Sequence, residues 1–195
     1  MKDKLKEMYA DHMITESGLL NAVLKSWITI EDAVEILGEE NAVEIVKNAK
    51  LAEISKACNV IIESGFDIEF NGESVHFNLN LKDQSNIGNL FEVVKLGGTE
   101  YPYQADGGVC RIYSAAEIQQ IYVTAQSLIT GQTTYHNELK QYVQSLDSAE
   151  AIAAVSYGME LPEPYLTEMN EKLAVAQSTM QGILERLSQV QSTSL

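Results

Sequence analysis

A chain of 195 residues is long enough for one domain, or for a small domain with helical extensions, and its 45% apolar content can fill a core. Its formal net charge of -15 argues against nucleic acid as a partner, because phosphates would be repelled, and against an anionic membrane surface for the same reason. The opening residues, MKDKLKEMYADHM, mix charged and apolar positions without the apolar run of a signal peptide. No stretch approaches the roughly 18 apolar residues of a membrane helix. The expectation is a soluble, cytosolically made protein with no nucleic-acid and no membrane partner.

In chain order, LKEMYADHM reads as a short amphipathic helix. A near-repeat follows, ITESGLLNAVLKS and ITIEDAVEILGEE, its two copies fourteen residues apart. Thr15 and Thr29 suit the N-cap position, where a hydroxyl accepts from a first-turn N–H, and Thr29 with Asp32 resembles a capping box. Helices are therefore expected over about 16–26 and 30–37, with Gly38 as the stop. Val43, Val46, Ala49 or Lys50, Ile54, Ala57 and Val60 or Ile61 then give an apolar stripe at helical spacing, predicting one helix over about 40–64.

At Phe66 the period changes to two: Phe66, Ile68 and Phe70, then Val75, Phe77, Leu79 and Leu81. Asn71-Gly72 between the two runs suits a type I′ turn, whose central residues both need positive φ, so a β-hairpin is expected. A lone hairpin is marginal in water, so this one needs a helix to cover it. KDQSNIGNLFEVVK supplies a short helix ending at Gly97-Gly98, and a second hairpin is expected to turn at Asp106-Gly107, with Pro102 confining its first strand to an edge. Ser114 with Glu117 forms an S-x-x-E capping box that opens a helical stretch of about 30 residues, which Gly131 is expected to weaken or bend. Asp147 with Glu150 is expected to cap a further short helix, and Pro162 and Pro164 break the chain before a last helix.

That last helix carries a heptad seam. Leu166, Leu173, Met180 and Leu187 recur every seventh residue, and Met169, Ala176, Ile183 and Val190 sit three after each. At 1.5 Å per residue the seam runs about 40 Å. Leucine at a with β-branched residues at two d positions leans away from a parallel dimer toward a trimer or tetramer. The flanking positions hold Lys172 and Arg186 but no acid, so charge does not select the partner. The eight seam residues are the candidate oligomerisation site. The same stripe could instead fold back as core of its own domain; the Pro-bounded linker and the unbroken period of seven favour association with another chain.

Motifs of chemistry are missing. His12, His76 and His136 lie in separate elements without metal-ligand spacing, and no nucleophile elbow, zincin, Walker or dinucleotide-binding motif occurs. Cys58 and Cys110 lie outside any CxxC pair and are expected to be reduced and largely buried. Tyr101, Tyr103 and Tyr113 either form a recognition face or, as aromatic residues more commonly do, cover the sheet. The expectation is a non-enzyme, with no catalytic, cofactor or metal residue.

The fold class expected is α+β: a helical N-terminal module, a small hairpin-built antiparallel sheet flanked by helices, and a C-terminal heptad helix. The boundaries fall at 1–38, 39–64 for a connecting helix, 65–160 for the α+β domain, and 161–195 for the linker and coil. Two of these parts resemble known families. Tyr9, Ile14-Thr15, Ile28-Thr29 and the closing Glu35 to Gly38 make residues 5–38 similar to the short XkdX family of tail gene clusters in PBSX-type prophages and other phages of Gram-positive bacteria. Residues 54 to about 145 resemble a domain of unknown function that recurs in phage tail fibre and tail-associated proteins. That resemblance is carried by Gly65-Phe66, Asn71-Gly72, His76-Phe77, Asp83-Gln84, Asn86, Asp106-Gly107 and Tyr113 to Glu117.

The resemblances imply a structural protein of a phage tail or of a tail-like particle such as an R-type bacteriocin, at the baseplate or fibres. They imply other tail, baseplate or fibre proteins as partners in a homo- or hetero-oligomer, trimer favoured. The protein would lie in the host cytoplasm during assembly and then in the particle tail. The alternative is a fibre-assembly chaperone absent from the mature particle. Neither family brings a catalytic residue.

Overall fold

A computed structural model of the chain describes residues 1–193; the side chains of Ser188 and of residues 190–193 are not described. The fold is α+β: helices α1 (Lys2–Ala10), α2 (Glu16–Leu24), α3 (Ile30–Leu37) and α4 (Glu39–Glu63), hairpin β1 (Phe66–Phe70) and β2 (Glu73–Phe77), α5 (Leu81–Lys95), hairpin β3 (Glu100–Gln104) and β4 (Cys110–Ser114), then α6 (Ala115–Ser145), α7 (Ala149–Ala153) and α8 (Tyr165–Thr193). The strands form two separate two-stranded antiparallel sheets rather than one. The chain packs as two compact units, residues 1–58 with 136–168 and residues 59–135 with 169–195. Units defined by packing divide the chain elsewhere than the sequence punctuation does, because α4, α6 and α8 each contribute to both.

In the first unit, which holds the leading part of α4 and the end of α6, α3 packs against α1, α2 and α7. Leu19, Ala22, Ala33, Ala42, Val46, Leu139, Val143 and Ile152 are buried there. The near-repeat proves to be two successive helix ends of one geometry. The N–H of Met13 donates to the Met8 carbonyl at 2.8 Å and that of Trp27 to Ala22 at 2.8 Å, while His12 and Ser26 take φ of 55° and 57°. Both are Schellman motifs with a residue other than glycine at the left-handed position. Of the two expected caps only one forms: Thr29 and Asp32 exchange both bonds of a capping box, whereas Thr15 makes no side-chain cap bond. Lys2 bridges Glu35 and Asp32, tying α1 to α3. Near α7 the expected cap is corrected: Ser148, not Asp147, accepts from the Ala151 N–H at 3.2 Å, and Glu39 accepts from both the Ser148 hydroxyl and the Glu150 N–H at 3.0 Å.

In the second unit, β1 pairs with β2 through Phe66–Phe77 to Phe70–Glu73, with Asn71 (φ 52°) and Gly72 (φ 84°) at the turn as expected. Leu79 and Leu81 do not extend β2. Asn80 accepts from the N–H groups of Lys82 and Asp83 and starts α5 there, a cap outweighing two more residues of alternation. The second hairpin turns at Asp106-Gly107, and its inner face meets the first through aromatic edges: Tyr113 lies 5.9 Å from Phe70 and 6.1 Å from Phe77, and Tyr103 stacks on Phe77 at 6.4 Å. The Asp106 N–H donates to the His76 carbonyl at 3.1 Å, joining the second turn to strand β2 by backbone. The Ser114–Glu117 capping box forms, and α6 runs unbroken through Gly131. Cys58 is buried as expected; Cys110 is exposed on the outer face of β4, which corrects its expected burial.

Candidate functional site

Helical spacing puts the seam on one face of α8. Leu166, Met169, Leu173, Ala176, Met180, Ile183 and Leu187 are each half-buried, while most residues between them are exposed, Val175 at 68%. The side chain of Val190 lies outside the described residues. None of the described seam residues reaches the burial of a core position, so the face is neither free nor filled. Two local contacts lie along α8, one beside the seam and one on it. At the start of α8, the Tyr165 ring lies 5.7 Å from that of Tyr142 on α6. Further along, Ile183 and Leu187 line a cavity of about 520 Å³ together with Gly88, Phe91 and Tyr122 of α5 and α6. Phe91 and Tyr122 stack almost parallel, 3.9 Å apart, and give that cavity an aromatic wall. Sequence reading missed it, because Phe91 and Tyr122 are 31 positions apart and only the folded chain brings their rings together.

A second surface lies in the first unit. Trp27, the chain's single tryptophan, is 55% exposed at the rim of a groove of about 680 Å³ lined by Val23, Leu24, Ile28, Ala49 and Ala52. Lys25 sits over its ring at 4.9 Å. Lys50 borders the groove almost wholly buried, its ammonium 3.0–3.1 Å from both Glu53 oxygens. Such a pairing lets the aliphatic stem pack while one carboxylate at the surface meets the charge.

A third, smaller cavity of about 180 Å³ opens where the second hairpin turn and the end of β2 meet α5, lined by Asn78, Asp83, Tyr103, Gln104 and Asp106. Beside it His76 bridges the Asp67 carboxylate (Nδ1, 3.0 Å) and the Asn78 side-chain oxygen (Nε2, 3.2 Å). Its pKa is raised above the ordinary value chiefly by the Asp67 bond, which favours the charged ring. Tyr103 and Tyr113 have phenol pKa values raised by burial. They cover the sheet, and Tyr101 alone of the three is largely exposed. Arg111 lies over the Tyr113 ring at 4.2 Å and reaches Glu117 at 3.4 Å, closing the hairpin onto the start of α6. Among the described residues no group of three or more His, Cys, Asp or Glu is placed to hold a metal ion, and no helix is long and apolar enough to cross a membrane.

Compared with known proteins, residues 45–157 match the family described as Domain of unknown function (DUF4376). That span holds both hairpins, α5, α6, α7 and most of α4; the seam lies outside it. No curated protein matches, and no solved structure matches.

Proposed function

Since the chain belongs to the DUF4376 family, which brings no assigned activity, its role must be read from its surfaces, and we propose that it is a non-enzymatic structural component of a phage tail or tail-like particle, such as an R-type bacteriocin. In this reading it sits at the baseplate or fibre region and joins or oligomerises subunits there. The N-terminal helices dock, the hairpin domain spaces or binds, and α8 associates with other tail proteins or with further copies. The observation that carries the reading is the seam: a heptad face follows a proline-bounded linker and stays half-covered along its described length. The resemblances of residues 5–38 and 54–145 supply the setting. The protein would be assembled in the host cytoplasm and end in the particle tail.

The second reading, a fibre-assembly chaperone, is favoured by the net charge of -15, which keeps a transient binder soluble. Quantitative mass spectrometry of purified intact particles separates the two. A fixed ratio to the tube protein is expected of a structural component. Absence from particles, with abundance in the lysate, would replace it with the chaperone. Presence in neither would end both.

A further inference from the structure

Coiled-coil packing needs each a and d side chain as a knob in a hole of the facing helix. Ile183 is a d residue and Leu187 an a residue, yet both already face the cavity walled by Phe91 and Tyr122. One side chain cannot fill both positions. The intrachain seat also stays open to solvent on one side, and it leaves both side chains only half-buried. We propose that the groove between α5 and α6 is a resting cradle for the seam, so that α8 must leave Phe91 and Tyr122 before its C-terminal layers can form a coil with another copy of this chain. The free chain thereby shields its own assembly surface, and association strips the helix from the cradle. This rests on the seam reading above and adds the competition to it.

Competition gives opposite signs to two substitutions outside the seam. Tyr122→Ala removes part of the cradle wall and should strengthen self-association about tenfold, as expected when a competing state loses one modest contact. Gly88→Leu grows an apolar side chain into the cavity from a helix position where an added Cβ meets nothing within 4 Å. It should tighten the seat and weaken association by a similar factor, and it favours helix formation, so the fold is not at risk. Leu173→Glu, on the seam but away from the cavity, should abolish association in every background.

The measurement is light scattering on the full chain across a concentration series, with amide exchange at residues 180–187 read in the monomer. Exchange should quicken in Tyr122→Ala and slow in Gly88→Leu. If Leu173→Glu dissociates the oligomer while the two cradle variants associate like the wild type, the cradle is wrong and the coil stands. If Leu173→Glu leaves association unchanged, the coil reading itself fails. If the wild type is monomeric throughout and Tyr122→Ala stays monomeric too, the competition is overturned.

Discussion

At the residue scale, two glycines with similar φ carry different weight. Gly65 (φ 73°) ends α4 where the chain turns into β1, and an added Cβ would lie 1.9 Å from the Phe77 carbonyl oxygen. Gly72 (φ 84°) sits at the hairpin turn with nothing within 4 Å. Gly72→Ala should cost about 1–2 kcal/mol, the price of the left-handed backbone alone. Gly65→Ala adds a backbone clash and should cost about 4 kcal/mol or more, an exceptional loss for one residue. Thermal melts of the two variants check the order. His76 gives a pH dependence. Its folded pKa is raised, so its contribution is fully present below the unfolded value of about 6.5 and is lost as pH rises through the folded value. Urea midpoints of the wild type should fall across that window relative to His76→Gln, and an equal slope in the two would remove the assigned cause. Strand alternation alone puts His76 on the face opposite Val75 and Phe77; its partner Asp67 is set by register across the hairpin, which alternation does not give.

At the element scale, the near-repeat was visible as two Ile-Thr helix starts, but its geometry lies in the helix ends before them. Schellman turns usually place glycine at C′, and nothing in DHM or KSW marks that position. Ser26→Gly should therefore stabilise the fold by about 0.5–1 kcal/mol, the left-handed strain relieved less the entropy glycine adds to the unfolded chain. Equilibrium denaturation reads the gain, and a loss would mean that the Ser26 side chain has a role its backbone does not reveal. The expected caps at Thr15 and Asp147 failed for a common reason: a capping residue type is a local permission, and which oxygen turns toward the first-turn N–H groups depends on the chain's entry angle. The hairpins were read well, since Asn-Gly and Asp-Gly fix the turn from within, and the S-x-x-E box likewise needs only its own four residues.

For the whole molecule, the charge of -15 has a consequence independent of any partner. Like charges repel more in the compact state than in the expanded one, and the screening length falls from about 30 Å at 0.01 M salt to about 8 Å at 0.15 M. The melting temperature should rise between those two concentrations. A fall would mean that specific ion pairs such as Lys2 with Glu35 and Asp32 outweigh the general repulsion. The same repulsion acts between copies, so any self-association through α8 should also strengthen with salt. Light scattering at the two concentrations tests this, and an oligomer that loosens with salt would point to a charge-paired partner rather than an apolar seam.

The sequence by itself determined the elements: helices from a period near 3.6, hairpins from alternation around Asn-Gly and Asp-Gly, and a heptad face on the last helix. These depend on interactions within a few residues, so local order carries them. Tertiary structure alone decided what each face meets. It set Phe91 against Tyr122, left Trp27 on the rim of a groove, exposed Cys110 and half-covered the seam. A stripe of apolar side chains specifies that it will be covered, because water is a poor solvent for it. Which surface does the covering is settled by the contacts available once the chain has closed.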